Sequence, residues 1–187
     1  MPRKITPRGK FIMLKNKNVY LLPVLVLLFL SLVTTASTTI KTADAKSEGL
    51  AQHLTVYIHS LENHNGQTTL TGDEIEWYEG AAADAVFAQR EPESAAEIGG
   101  APDGYYIVND SDTLTTYTVA PDAKVTMQIY DRTGKLEDLD INWNESLTLK
   151  QFIHEFAKTD VFDLSGSPYH LTIKDGQIVS IVQQYTP

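Results

Sequence analysis

An α+β fold, a curled antiparallel sheet or small β-barrel of about seven short strands with two helices, is predicted from three observations. Apolar and polar residues alternate in several short runs separated by turn residues, the period of half-buried strands. Two segments, residues 80–91 and 149–158, instead place apolar residues three and four apart, as helices do. The apolar parity changes next to Gly72 and both faces of the last hairpin are partly apolar, so the sheet bends and meets apolar partners on both sides. An open sheet with one helix packed across it is the alternative topology.

The order of elements begins with a leader. Residues 1–18 carry Arg3, Lys4, Arg8, Lys10, Lys15 and Lys17 and no acid, and residues 19–33 form an apolar run of fifteen. A basic flank before a short apolar run is an export signal, and fifteen residues fall short of the roughly 18 to 20 that span a bilayer. Extension over residues 34–36 reaches eighteen, so residues 1–45 are either a cleaved signal peptide or an N-terminal transmembrane anchor with a polar spacer. Small residues place cleavage after Ala36 or Ala45.

Residues 46–187 then form one secreted α+β domain. They hold eight Lys or Arg against 23 Asp or Glu, a net charge of −15. Such a surface repels nucleic acid and anionic lipid, which require clustered cations, and permits basic peptides and cations. The chain has no cysteine, which excludes thiol catalysis, thiolate metal sites and disulfides. About 140 residues bury enough surface to fold without such crosslinks.

In the domain, Leu54, Val56 and Ile58 alternate with His53, Thr55, Tyr57 and His59, which predicts the first strand. Asn65-Gly66 turns the chain into a second strand over residues 68–78, with Gly72 marking a bulge. Residues 80–91 are the first helix, and the Pro-, Gly- and acid-rich residues 91–104 read as a loop. Residues 105–108, apolar on both faces, are expected to be a central strand. Strands at 114–119 and 124–130 follow, and the alternation of Leu139, Ile141 and Trp143 with Asp138, Asp140, Asn142 and Asn144 predicts another. The second helix, 149–158, is capped by Thr148 and Gln151. A final hairpin, 169–173 and 178–185, turns at Asp175-Gly176, placing His170 and Thr172 opposite Ile181 and Val179.

Several stretches resemble a family of small secreted proteins and lipoproteins of Gram-positive bacteria. These are Gly72-Asp73-Glu74-Ile75-Glu76-Trp77 with Gly80 and Ala81, Gly104-Tyr105-Tyr106-Ile107-Val108-Asn109, Thr118-Val119-Ala120-Pro121-Asp122-Ala123, and Gly176-Gln177-Ile178-Val179 with Tyr185. The resemblance covers most of residues 54–185 and implies export and one small domain. It brings no activity or catalytic residues, and the chain departs from the lipoproteins in lacking a lipid-accepting cysteine.

Candidate chemistry is sparse. Asp138, Asp140, Asn142 and Asn144 mimic the alternate ligands of a calcium loop, but Trp143 stands where an EF-hand needs glycine and Leu149 where it needs glutamate. Weak cation binding by a surface module stays as one alternative. Glu74 and Glu76 lie two apart on one strand face, whereas paired-carboxylate hydrolases set their acids across a cleft. A secreted hydrolase using Glu74 or Glu76 with a histidine is the other alternative. No pair among His53, His59, His64, His154 and His170 has zincin spacing, residues 164–168 are no nucleophile elbow, and no phosphate loop occurs.

The expectation is therefore an exported cell-surface binding domain without catalysis, cofactor or bound metal. Its partner would be an extracellular protein, peptide or small ligand, and its only membrane contact would be residues 19–36 if uncleaved. Strand aromatics can build ligand platforms. Tyr78, Tyr106 and Tyr130, expected to be exposed, together with Glu74 and Glu76, are the candidate ligand-binding residues.

Overall fold

In a computed structural model of the chain, residues 50–187 are described. The expectations for residues 1–45, including the signal and anchor, lie outside the described residues. Within the described residues no helix is long and apolar enough to cross a membrane. The described residues, 50–187, lie in one compact unit by their own contacts, and every buried core residue lies within it.

The chain opens with two thirteen-residue strands, β1 (Gln52–His64) and β2 (Gln67–Glu79), joined by Asn65-Gly66. Both turn residues have positive φ, 53° and 84°, the left-handed pair that matches a hairpin to the twist of its strands. Further strands are β3 (Tyr105–Val108), β4 (Leu114–Met127), β5 (Glu145–Leu147), β6 (Pro168–Lys174) and β7 (Gln177–Gln183). The helices are α1 (Gly80–Arg90), α2 (Pro92–Ile98) and α3 (Leu149–Phe156).

Five of the strands close into a barrel. β2 pairs with β1, β1 with β6, β6 with β7, β7 with β4, and β4 returns to β2. Four of these pairings are antiparallel and the β4–β7 pairing is parallel, so the barrel is mixed where an antiparallel one was expected. Closure leaves none of the five strands as a bare edge. β3 extends the far end of β2 outside the ring, and β5 pairs with the second half of β4.

Alternation fills the interior. Val56, Ile58, Leu70, Val119, Val125, Met127, Tyr169, Leu171, Ile178 and Ile181 form its core. α3 adds Phe152, whose ring meets Tyr169 at 5.8 Å. Its start is the capping box read in the sequence: the Thr148 hydroxyl accepts the Gln151 N–H and the Gln151 carboxamide oxygen accepts the Thr148 N–H.

Several local expectations are corrected. The irregularity at Gly72 belongs to the partner strand: His59 is the extra residue, inserted between the pairs Ile58–Gly72 and Ser60–Thr71. Gly72 itself is a close approach, since a Cβ there would lie 3.2 Å from the Tyr57 carbonyl oxygen and from Val56 Cβ. β3 is an edge strand, not a central one; its apolar faces are covered by the Phe87 ring against Tyr106 and by Trp77 on Tyr105. The segment 91–104 contains α2, with Pro92 in its first turn and Gly99 ending it at φ 85°. The two strands expected at 114–119 and 124–130 are one, β4, which runs through 120–123 and ends at Met127, with an irregular register against β7 between Val119 and Lys124. The last hairpin has an extra residue, Val179, so His170 faces Val182 and Thr172 faces Ser180.

The predicted strand around Leu139, Ile141 and Trp143 is a loop. Its alternation meets no partner strand, and Ile141 and Trp143 point to solvent, 38% and 65% exposed. β5 begins only at Glu145.

Candidate functional site

Because Leu54 and Val56 of β1 and Leu171 and Ile173 of β6 turn inward, the residues between them face out. The β1–β6 register sets His53 opposite Thr172 and Thr55 opposite His170. This produces a two-by-two array of histidine and threonine on the outer wall of the barrel. Thr55 Oγ1 is hydrogen-bonded to His170 Nδ1 at 3.0 Å, and Thr172 Oγ1 lies 3.4 Å from His53 Nδ1. The other ring nitrogen of His170, Nε2, meets Gln184 Oε1 at 3.1 Å.

These residues floor an open groove of about 450 Å³ whose lining includes Glu74, Ile75 and Val182. An aromatic wall stands beside it. Trp77 stacks on Tyr105 with centroids 4.7 Å apart and planes 12° from parallel, and meets the His170 ring edge-on at 5.9 Å. The indole N–H donates to Glu79 Oε1 at 2.8 Å, which fixes the ring. Tyr57, the next outward residue of β1, has its phenol pushed up by burial first and by nearby Tyr105 second.

A floor of hydroxyl and imidazole groups beside a flat aromatic face can hold a polar ligand with an apolar face, by stacking and hydrogen bonds. General-base chemistry asks for more: a ring nitrogen within reach of the substrate proton. Both nitrogens of His170 already have partners. Glu74 lines the same groove, yet its carboxylate accepts the hydroxyl of Tyr117. Tyr117 is correspondingly raised to about 12, by burial first and by that bond second. Among the described residues no hydrogen bond joins Glu74 or Glu76 to a histidine of the groove, and no group of three or more His, Asp or Glu is placed to hold a metal ion.

The sequence-predicted residues divide between three places. Glu76, Tyr78 and Tyr106 do come together, on the face of the β2–β3 ribbon that carries α1. There the Tyr78 hydroxyl donates to Glu76, the Tyr106 hydroxyl donates to Glu91 Oε1 at 2.6 Å, and the Tyr106 ring packs on Phe87 at 5.5 Å. Each phenol is raised, first by its carboxylate partner. Arg90 at the end of α1 forms a two-pronged pair with Asp110, at 2.6 and 2.9 Å, and holds that carboxyl below the usual range. The Arg90–Asp110 and Tyr106–Glu91 bonds and the Phe87–Tyr106 contact fasten the end of α1 to the ribbon, and Tyr78 and Tyr106 are half-buried.

Tyr130, expected to be exposed, is buried at 8%. It lies past the end of β4, where alternation no longer assigns a face. Arg132 covers its ring at 4.1 Å and its hydroxyl donates to Glu145 Oε1 at 2.6 Å. Asp138, Asp140, Asn142 and Asn144 sit on the loop described above; the Asp138 carboxylate accepts the Thr133 hydroxyl at 3.0 Å.

The histidine and threonine array was not singled out in the sequence. Its signal was there in halves, as His53 and Thr55 on one wet strand face and His170 and Thr172 on another. Only the pairing of strands 115 residues apart unites them. Comparison with known proteins finds no matching family model, no similar curated protein and no matching solved structure.

Proposed function

We propose that this chain is an exported, non-catalytic binding domain that works outside the cell, and that the outer-wall groove beside Trp77 is where it takes its ligand. The observation that carries the reading is the combination of a stacked Trp77–Tyr105 wall with a floor whose imidazole and hydroxyl groups are bonded to one another. A ligand with one apolar face and hydroxyl or amide edges, such as a sugar or a short peptide, fits that chemistry. The basic leader with its apolar run, the surface charge of −15 and the resemblance to small secreted Gram-positive proteins support the extracellular setting.

The test is an NMR titration of the chain from Lys46 onwards with soluble cell-wall glycan fragments and short peptides. Saturable shifts at the Trp77 indole and at Thr55 and His170 are expected, with affinity falling about tenfold or more in Trp77→Ala, as for a buried aromatic contact. A hydrolysed substrate whose turnover vanishes in Glu74→Gln would contradict the non-catalytic reading and favour the hydrolase.

A further inference from the structure

A second surface, away from the groove, has the chemistry of a docking site for protein. Between β4 and β5 the loop 131–144 presents Leu136, Ile141 and Trp143 to solvent, 69%, 38% and 65% exposed. Large apolar side chains gathered on one exposed segment mark interaction surfaces more often than scattered ones do. The loop is held in place from beneath. The Asn142 N–H donates to the Gln128 carbonyl at 2.8 Å and the Asn144 N–H donates to Gln128 Oε1 at 2.8 Å. Arg132 Nη1 donates to the Asp140 carbonyl at 2.9 Å, and Asn144 takes the left-handed conformation, φ 60°. Gln128 in turn is buried against Gln183. An exposed tryptophan on a preorganised backbone loses little freedom when a partner covers it.

Trp143 also has a neighbour across the chain. Its ring meets Tyr185 edge-on at 5.6 Å, and Tyr185 lines a groove of about 350 Å³ together with Ile129, Phe162, Asp163 and Thr186. Through Tyr185 the indole thus stands beside a slot whose apolar side is Ile129, Phe162 and Tyr185 and whose polar side is Asp163, Ser167 and Thr186. The surroundings are acidic: Glu137, Asp138 and Asp140 on the loop, and Asp160 and Asp163 on the segment that carries Phe162, are all exposed. Of the nearby cations, Arg132 is engaged by Glu145 at 2.6 Å and Lys158 by Glu155 at 2.6 Å, while Lys135 on the loop is exposed, so acids still outnumber free cations on this face.

We propose that this face docks a cationic segment of a partner protein, with a bulky apolar residue of the partner in the slot and its Lys or Arg over Trp143 and beside the carboxylates. Charge complementarity selects that occupant. A second copy of this domain would bring its own net charge of −15 against the same carboxylates, and an anionic membrane is repelled for the same reason. An arginine gains twice, from the acids and from the exposed indole face.

The experiment uses the chain from Lys46 onwards against a panel of short synthetic peptides of equal apolar content and graded charge. Sedimentation of the protein alone and flotation with vesicles containing phosphatidylglycerol run beside it. Basic peptides with a bulky apolar residue are expected to bind, to shift the amides of residues 139–143 and 185, and to weaken as salt rises. Trp143→Ser, with thermal melting showing that the variant still folds, is expected to lower affinity about tenfold or more, and Asp138→Asn with Asp140→Asn to lower it further. The proposal is overturned if no basic peptide binds, if binding is indifferent to Trp143→Ser, if shifts map to the Trp77 groove instead, or if self-association or vesicle binding is what the substitution abolishes.

Discussion

Gln183 shows how much one buried side chain can organise. Its carboxamide oxygen accepts the N–H groups of Gln128 and Ile129 at 2.8 and 3.0 Å, and its NH2 donates to Ser167 Oγ at 3.1 Å. Gln183→Leu keeps the volume but strands two backbone donors in the core, so a loss of about 2–4 kcal/mol is expected in urea unfolding. Gly72 is constrained by contact instead. A Cβ would press on the backbone oxygen of Tyr57, and Gly72→Val is expected to cost about 1–3 kcal/mol by the same measurement. Glu145 makes stability depend on pH. The Tyr130 hydroxyl, and then Arg132, hold its carboxyl below the ordinary range against the opposing effect of partial burial. A depressed folded value means that the stabilisation is complete above the unfolded value of about 4.3 and fades as pH falls through the folded one. Urea unfolding from pH 6 down to about pH 2 should therefore lose less stability in Glu145→Gln than in the natural chain, and an identical acid limb would remove this role.

Elements were legible in proportion to how local their causes are. The α3 cap needs only Thr148 and Gln151, and both halves of the box form as read. Thr148→Ala is expected to lower stability by about 1 kcal/mol, seen as a fall in thermal midpoint. The two hairpin turns, Asn65-Gly66 and Asp175-Gly176, were likewise legible, because positive φ at both positions demands those residue types. Residues 139–143 were misread since alternation reports exposure on two sides and is silent on whether a partner strand exists. β3 misled for a related reason: Tyr105 and Tyr106 are covered on opposite faces by Trp77 and by α1, so burial on both faces did not mean a central strand. In the last hairpin the extra Val179 moved every pairing beyond it by one residue, and nothing in Ser180-Ile181-Val182 announces a bulge.

At the scale of the molecule, a curled sheet or small barrel was legible and the parallel pairing that helps close it was not. Gly72 and the two-faced apolar hairpin signalled a curled sheet, which the barrel is. The parallel contact of β4 with β7 depends on strands some sixty residues apart meeting in one register, for example Val125 with Ile181. The groove inherits that limit, since His53 and His170 share a wall only once β1 and β6 pair. The net charge of −15 over residues 46–187 acts at the same scale, as a long-range repulsion of polyanions. The claim beneath the functional reading is that the ring is closed, because closure sends one side of each barrel strand inward and leaves the other as the wall that carries the groove. Interstrand proton contacts by NMR test it most directly. Antiparallel contacts between Leu70 and Tyr117 and parallel contacts between Val125 and Ile181, both with slowly exchanging amides, are the expected result. Finding β2 without contacts to β4, with rapidly exchanging amides along residues 114–119, would mean an open sheet and contradict the account.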